Sequence, residues 1–325
     1  MKKTLFIIIL SIFALSSLFI PKAASAVSDQ FTGFTISPGI IEEWFNPGDS
    51  KTKTIYIENN LGKTTTFEIE LEDFEASPDP LIATTLLGEK KGPYSLKDYL
   101  KPEVSEITIE DGKMAPLRVG ISIPKDITLP GFYGAVLVKP KLEEGNLEST
   151  KIYPRLGTLF YVGIEGHTAA QSDLVSFKYL PAGNCKGDCN SDDSADKFEV
   201  TFQNNDKIHI ALAGDIEIKN IFGKVVDKVG IGPWYVMPDC LKVKEEKWKT
   251  KNTSMFGLYT ADLKLIDSHS GETKEKKIYL WALPWKILLP LVLFALLFYF
   301  LLRFFEKHFR VIRVDRQQKR KIRGK

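Results

Sequence analysis

Twelve consecutive residues, Asp188-Cys189-Asn190-Ser191-Asp192-Asp193-Ser194-Ala195-Asp196-Lys197-Phe198-Glu199, place oxygen-bearing side chains at positions 1, 3, 5, 7, 9 and 12 of a loop. Calcium is a hard cation that takes about six to eight oxygens, and this is the spacing with which a short loop can wrap it. The match is partial. Asp193 stands where the tight turn favours Gly, Ala195 replaces an apolar residue, and a strand pattern rather than a helix follows Glu199. A solvated acidic hairpin loop accounts for the same residues, so no metal is assigned.

The remaining reactive side chains are sparse. Cys185 and Cys189 flank Lys186-Gly187-Asp188, and Cys240 stands apart. In the chain-entropy account, a bridge within the first pair contributes roughly 2 kcal/mol, whereas a bridge from either to Cys240 closes a longer loop and contributes about 4 kcal/mol. Spacing alone does not choose between them. Structural zinc wants four ligands, and a C-x-x-x-C run without a second Cys or His pair does not supply them. His167, His209, His269 and His308 are scattered, outside any nucleophile elbow, H-E-x-x-H run or Cys-His setting, and read as surface or strand-packing histidines. There is no G-x-x-x-x-G-K-[ST] phosphate loop. With 41 acidic residues in the chain, some carboxylate pair will stand close by chance, so a glycosidase-type pair is a weak reading. No catalytic, cofactor-binding or metal residue is assigned, and the chain is read as a non-enzyme.

The elements around these residues alternate as strands do. Residues 66–72 set Phe67, Ile69 and Leu71 on one face and glutamates on the other, the pattern of a strand with one wet face. Further strands are expected at 34–37, 40–45, 54–58, 107–109, 116–123, 132–139 and 156–165. Turn sequences such as Asn46-Pro47-Gly48-Asp49 and Pro130-Gly131 separate them. The pattern lapses at 75–101, a long insertion with a short helical piece at 95–100 that Ser95 could cap. A second strand-rich unit follows, with strands at 174–179, 197–203, 208–219, 224–229, 242–246, 257–266 and 274–280. The fold class expected is all-β: two tandem immunoglobulin-like β-sandwich domains, 27–168 and 169–280.

The two ends of the chain address it to a membrane. Met1-Lys2-Lys3, the apolar run 5–20 and Ala24-Ser25-Ala26 read as a secretory signal peptide, 1–26. Residues 283–302 are apolar apart from Lys286, and about 20 helical residues cover the ~30 Å of a bilayer's hydrocarbon core. Trp281 and Trp285 stand at its outer end, and the tail 303–325 carries 10 basic against 2 acidic residues. Positive residues stay inside, so the expected topology is a single-pass cell-membrane protein with extracytoplasmic domains and a cytoplasmic tail. The overall charge of +3 conceals this division, because residues 27–302 carry 31 basic against 39 acidic side chains, a balance of about −8. An acidic exterior excludes nucleic acid as a partner.

Several local phrases extend the reading. Ile36-Ser37-Pro38-Gly39, Glu58-Asn59-Asn60 and the stretch Leu129-Pro130-Gly131-Phe132-Tyr133-Gly134-Ala135-Val136-Leu137-Val138 mark the first domain. Phe202-Gln203-Asn204-Asn205 with His209, residues 214–224, Met237-Pro238 and residues 256–261 mark the second. With the order of parts, these phrases make the chain similar to the bacterial WxL-interacting protein family. The chain departs from that pattern at Ala211-Leu212-Ala213, which lacks a proline before Gly214, at Asp239-Cys240, and in the cysteine-bearing stretch 184–196. The resemblance implies a surface-anchored adhesion or scaffold protein, its first domain associated with peptidoglycan and its second with partner proteins. Residues 75–101 and Trp44-Phe45 are the candidate contact regions. A secretion or assembly chaperone with an exposed strand edge is the alternative function, and a cell-wall hydrolase the second alternative.

Overall fold

The computed structural model describes residues 33–141, 154–167, 172–182, 195–249, 257–282 and 289–304. In the first module, β1 (Gly33–Ser37), β3 (Ser50–Asn60), β8 (Lys113–Ser122) and β6 (Leu100–Pro102) form one sheet in that order. Facing it is the sheet of β2 (Ile40–Phe45), β10 (Leu156–Ile164), β9 (Gly131–Pro140), β4 (Thr65–Ala76) and β5 (Thr84–Leu86), with β7 (Glu106–Ile109) also on β4. The pairing is not wholly antiparallel, because β2 runs parallel to β10. The chain leaves one sheet after β1, passes a cis Ser37–Pro38 bond and enters the other as β2. Ile55 and Ile57 of β3 and Leu117, Val119 and Ile121 of β8 meet Phe67, Phe132, Val136, Val138, Phe160 and Val162 across the gap. That interleaving of inward-facing residues from two sheets defines a sandwich.

The second module repeats the plan. β11 (Ser172–Leu180), β12 (Asp196–Asn204) and β15 (Cys240–Trp248) make one sheet, and β14 (Val225–Val236), β13 (Ile210–Asn220), β16 (Gly257–Asp267) and β17 (Thr273–Ala282) the other. Phe198, Val200, Phe202 and Trp248 pack against Ile216, Ile218, Leu263 and Leu265. The all-β, double-sandwich expectation holds, with β14 and β3 running several residues beyond the spans that alternation marked.

Two corrections concern the insertion. Residues 75–101 carry β5, a 3-10 helix at Lys97–Tyr99 and the start of β6. Ser95 does not cap that helix. Asp73 of β4 caps it across 23 residues of chain, its Oδ1 accepting the Leu96 and Lys97 N–H groups at 3.0 and 2.9 Å. A carboxylate fixed on a strand can hold two orphan helix donors that a neighbouring serine would satisfy only singly. Residues 289–304 form a helix, and among the described residues no helix is long and apolar enough to cross a membrane. The first six positions of the expected span, 283–288, lie outside the described residues, as do the signal peptide and the tail beyond 304.

Both modules close one strand end with the same device. Asn59, fully buried at the end of β3, accepts the Leu61 N–H at Oδ1 and donates to the Lys63 and Ile109 carbonyls. Asn204, fully buried at the end of β12, accepts the Asp206 N–H and donates to the carbonyls of Ile208, Val236 and Met237. Each amide satisfies turn backbone that burial has removed from water, so its loss strands several groups at once. Asn59→Ala and Asn204→Ala are each expected to cost about 2–4 kcal/mol in urea unfolding. Asn59→Asp, which keeps the acceptor but loses the donor, should be no better than Ala; a near-wild-type midpoint would contradict this account.

Candidate functional site

The most elaborate constellation of polar and aromatic side chains lies where the two modules meet. It begins with β9, which is buried on both faces. Phe132, Val136 and Val138 enter the first core, while Tyr133, Ala135 and Leu137 point out of it and join Phe74, Tyr161 and Met237 in a separate cluster. Period-2 geometry sends alternate residues to opposite faces, so an unbroken apolar run implies a cover on each. The outer cover comes partly from the insertion, where Tyr94 O accepts the Tyr133 N–H at 2.8 Å, and partly from Tyr235 and Met237 of the second module. Tyr235 stacks on Tyr161 with ring centroids 4.5 Å apart.

His209 is the polar centre of this junction. Its side chain is wholly buried, with Nε2 3.2 Å from Glu42 Oε1 of β2 and Nδ1 3.3 Å from the Tyr133 hydroxyl. The same hydroxyl accepts the His209 backbone N–H at 2.9 Å. Burial pushes the Glu42 carboxyl up, but hydrogen bonds from His209, Tyr235 and Trp44 outweigh it and hold the group below its ordinary value. Burial raises Tyr133 well above the usual phenol range and, with Glu42 nearby, takes Tyr235 to about 12. The order carboxylate, imidazole, hydroxyl resembles a nucleophile relay on paper. Here the hydroxyl belongs to a fully buried phenol inside the cluster and also accepts the His209 backbone N–H, so the chain of groups fastens two modules.

Trp44 is the second fastener. In the parallel register Gly163 lies beside it, and a Cβ on Gly163 would sit 2.5 Å from the indole ring. The ring packs against the second core and stacks on His269 at 3.4 Å between centroids and 7° between planes. The third fastener is Lys242, only 1% exposed, whose Nζ donates to the carbonyls of Ser77, Asp79 and Ile82 at 2.7, 3.0 and 2.7 Å. Val243 N–H reaches Pro80 O in the same loop. Burial lowers the Lys242 ammonium below its usual range, and the three carbonyls replace the water it has lost.

The outer face of the β14-β13-β16-β17 sheet forms a second, open concavity of about 550 Å³, lined by Asp215, Glu217, Lys219, Lys228, Asp262 and neighbouring lysines. Lys219 stands 2.9 Å from both Glu217 and Asp262, and Lys228 stands 3.0 Å from Asp215. Lys277 stands 3.4 Å from Asp262. The Asp262 and Glu217 hydrogen bonds raise Lys219, so the face is a self-paired charge lattice on a wet sheet.

The sequence candidates fall as follows. Phe45 is core, and Trp44 is used inside the junction rather than on a free surface. Of the acidic loop beginning at Asp188, the residues up to 194 lie outside the described residues. Asp196 accepts the Ala182 N–H, and Glu199 pairs with Lys178 at 3.0 Å. Among the described residues no group of three His, Cys, Asp or Glu is placed to hold a metal ion. Cys185 and Cys189 are outside the described residues, as is His308. Cys240 stands opposite Asn204, at the far end of the ladder from Asp196, and its Sγ donates to Met237 O. His167 is exposed, and His209 and His269 both serve the junction. Sequence reasoning missed Tyr133, Tyr161, Tyr235 and Lys242; the available signal was the continuous apolar run 132–138, which calls for a cover outside its own sandwich.

No family model matches the chain, and no curated protein matches it. Among solved structures it is similar to the class 5 fimbriae chaperone CfaA, at 11% identity and a TM-score of 0.36 over 78% of this chain and 100% of that one. The Pseudomonas aeruginosa CupB2 chaperone gives 11% identity and a TM-score of 0.35 over 75% and 98%. The E. coli chaperone DraB gives 12% and 0.33 over 77% and 98%. Similarity at this level decides neither fold nor function, and the double sandwich rests on the strand pairing itself.

Two measurements test the junction. Because Glu42 lies below its ordinary value of 4.5, its contribution is complete above that pH and is lost as pH falls through the lowered value. Glu42→Gln is therefore expected to lose about 1–3 kcal/mol at pH 7, and the gap to wild type should close on acidification; a gap independent of pH would remove Glu42 from the network. Gly163→Ala should destabilise by roughly 2 kcal/mol in the wild type and by much less in a Trp44→Ala background, and additive losses in that double-mutant cycle would show that the indole is not what the new methyl meets.

Proposed function

We propose that this chain is a non-enzymatic, membrane-anchored protein of the bacterial surface that holds two immunoglobulin-like sandwiches outside the membrane to bind cell-wall material and surface proteins. The observation that carries the anchor is the helix over 289–304, whose apolar side chains, Leu291, Phe294, Leu297 and Phe300 among them, stand exposed on every side. A helix apolar all round belongs in a protein core or in lipid. With 283–288 included, the apolar run reaches the length of a bilayer crossing, and the basic tail after it supports a cytoplasmic end.

The binding role is supported by the construction of the modules. Three fasteners fix one sandwich on the other, so surfaces on both can engage an extended partner without a flexible joint to order first. The resemblance to the WxL-interacting family supports peptidoglycan for the first module and a partner protein for the second. Within the insertion, Leu81 and Ile82 remain exposed beside the Lys242 clamp and are candidate contact residues.

Particular observations weigh against the other two functions. Among the described residues the carboxylates held away from their ordinary value, Glu42, Glu43 and Glu70, all move down, the wrong direction for a general acid. Two edges that a chaperone could lend to a client are blunted: β6 is three residues ending in Pro102, and β17 carries Lys274-Glu275-Lys276-Lys277 in its first half.

The test is retention of the detergent-solubilised full chain on insoluble peptidoglycan and on surface-protein fractions, where binding to at least one is expected and binding to neither removes the proposed role. Protease added to intact cells or spheroplasts should cut the modules and spare a tag placed after Lys325. The reverse pattern inverts the topology.

A further inference from the structure

The end of the second module from which the apolar helix departs is itself apolar. β13 and β14 meet at Asn220-Ile221-Phe222-Gly223-Lys224. Asn220 lies opposite Tyr259, Tyr259 opposite Leu280, and Leu258 opposite Trp281. The hairpin tip and the last residues of β17 therefore share one end of the sheet, two strand spacings or about 10 Å apart. At that end Phe222 is 87% exposed, Ile221 67%, and Tyr279 and Trp281 71% each, with Val225 and Leu258 exposed beside them.

The tip is built to hold its apolar residues out. Asn220 Oδ1 accepts the N–H groups of Phe222 and Lys224, both at 3.0 Å, and the Asn220 N–H donates to Lys224 O. Gly223 takes the positive φ of 77° that closes the turn. Further along the same outer face the character reverses, with Asp262, Lys264, Glu275 and Lys277 in the charge lattice. Along β17 the order is Lys274-Glu275-Lys276-Lys277, then Ile278-Tyr279-Leu280-Trp281. The sheet thus grades from charged to apolar toward its junction with the helix.

Six residues, 283–288, connect this end to the helix, a reach of at most about 25 Å even when fully extended. Aromatic rings with a polar edge concentrate at the membrane–water boundary, and an exposed lysine such as Lys224 suits anionic headgroups there. We infer that the Ile221-Phe222 hairpin tip, with Tyr279 and Trp281, sits in the interfacial layer of the bilayer as a second contact that sets the orientation of the second module. This rests on the anchored reading above, and continuity with the apolar helix is what selects lipid over a second protein.

The test uses the full chain in phosphatidylcholine–phosphatidylglycerol nanodiscs doped with a photoactivatable phospholipid, followed by peptide mapping of lipid adducts. Adducts are expected on the helix and on the peptide that contains Ile221 and Phe222. The double substitution Ile221→Asp, Phe222→Asp should cut the tip adduct by about tenfold while leaving helix adducts and the melting temperature unchanged. Helix adducts without a tip adduct in the wild type overturn the inference and leave the anchor standing. Adducts on neither overturn the anchor itself. A tip cross-linked to another copy of the chain in place of lipid makes this end a dimer contact and likewise overturns the inference.

Discussion

Tyr133 and Tyr161 point away from the core of their own sandwich, onto a face that would meet water if the first module stood alone. Burying aromatic side chains of this size contributes about 1.5–3 kcal/mol each, and the same amount is forfeited if the cover is removed. The cover is Tyr235 and Met237 of the second module together with Tyr94 of the insertion. The position of the second sandwich and the packing of the insertion both answer to that requirement. The modules are distinct as sheets but share an apolar cluster, and separating them would expose it.

Polar groups at the junction convert a greasy contact into a specific one. Dispersion and burial are indifferent to small slides, whereas a histidine held between a carboxylate and a phenol, or an ammonium held by three carbonyls, has one register in which all partners are satisfied. The charged face of the outer sheet is the contrast. Its lysines and carboxylates stand close to each other, but in water-facing geometry, where such pairs add little stability and keep the surface soluble.

The local phrases Glu58-Asn59-Asn60, Phe202-Gln203-Asn204-Asn205 and Asn220-Ile221-Phe222-Gly223-Lys224 are largely turn chemistry. Asn59 and Asn204 terminate equivalent strands by the same pattern, accepting from the residue two further on and donating to the carbonyl four further on. Asn220 uses a related turn to expose Phe222. Such residues are dictated by backbone geometry, which is why they report architecture and are silent about ligands.

Taken alone, the amino-acid order determined most of the strands outside the insertion, the division into two strand-rich units and the apolar segment near the end, because each depends on short-range periodicity or composition. It also contained an unread signal in the continuous apolar run of β9, a strand that needs two covers. Only the tertiary structure decided what supplies the second cover, why Trp44 is inside, that Asp73 rather than Ser95 caps the 3-10 helix, and that His209 and Lys242 are fasteners. Those roles join residues 23 to 225 positions apart, and no local pattern encodes which distant partner will satisfy a buried polar group.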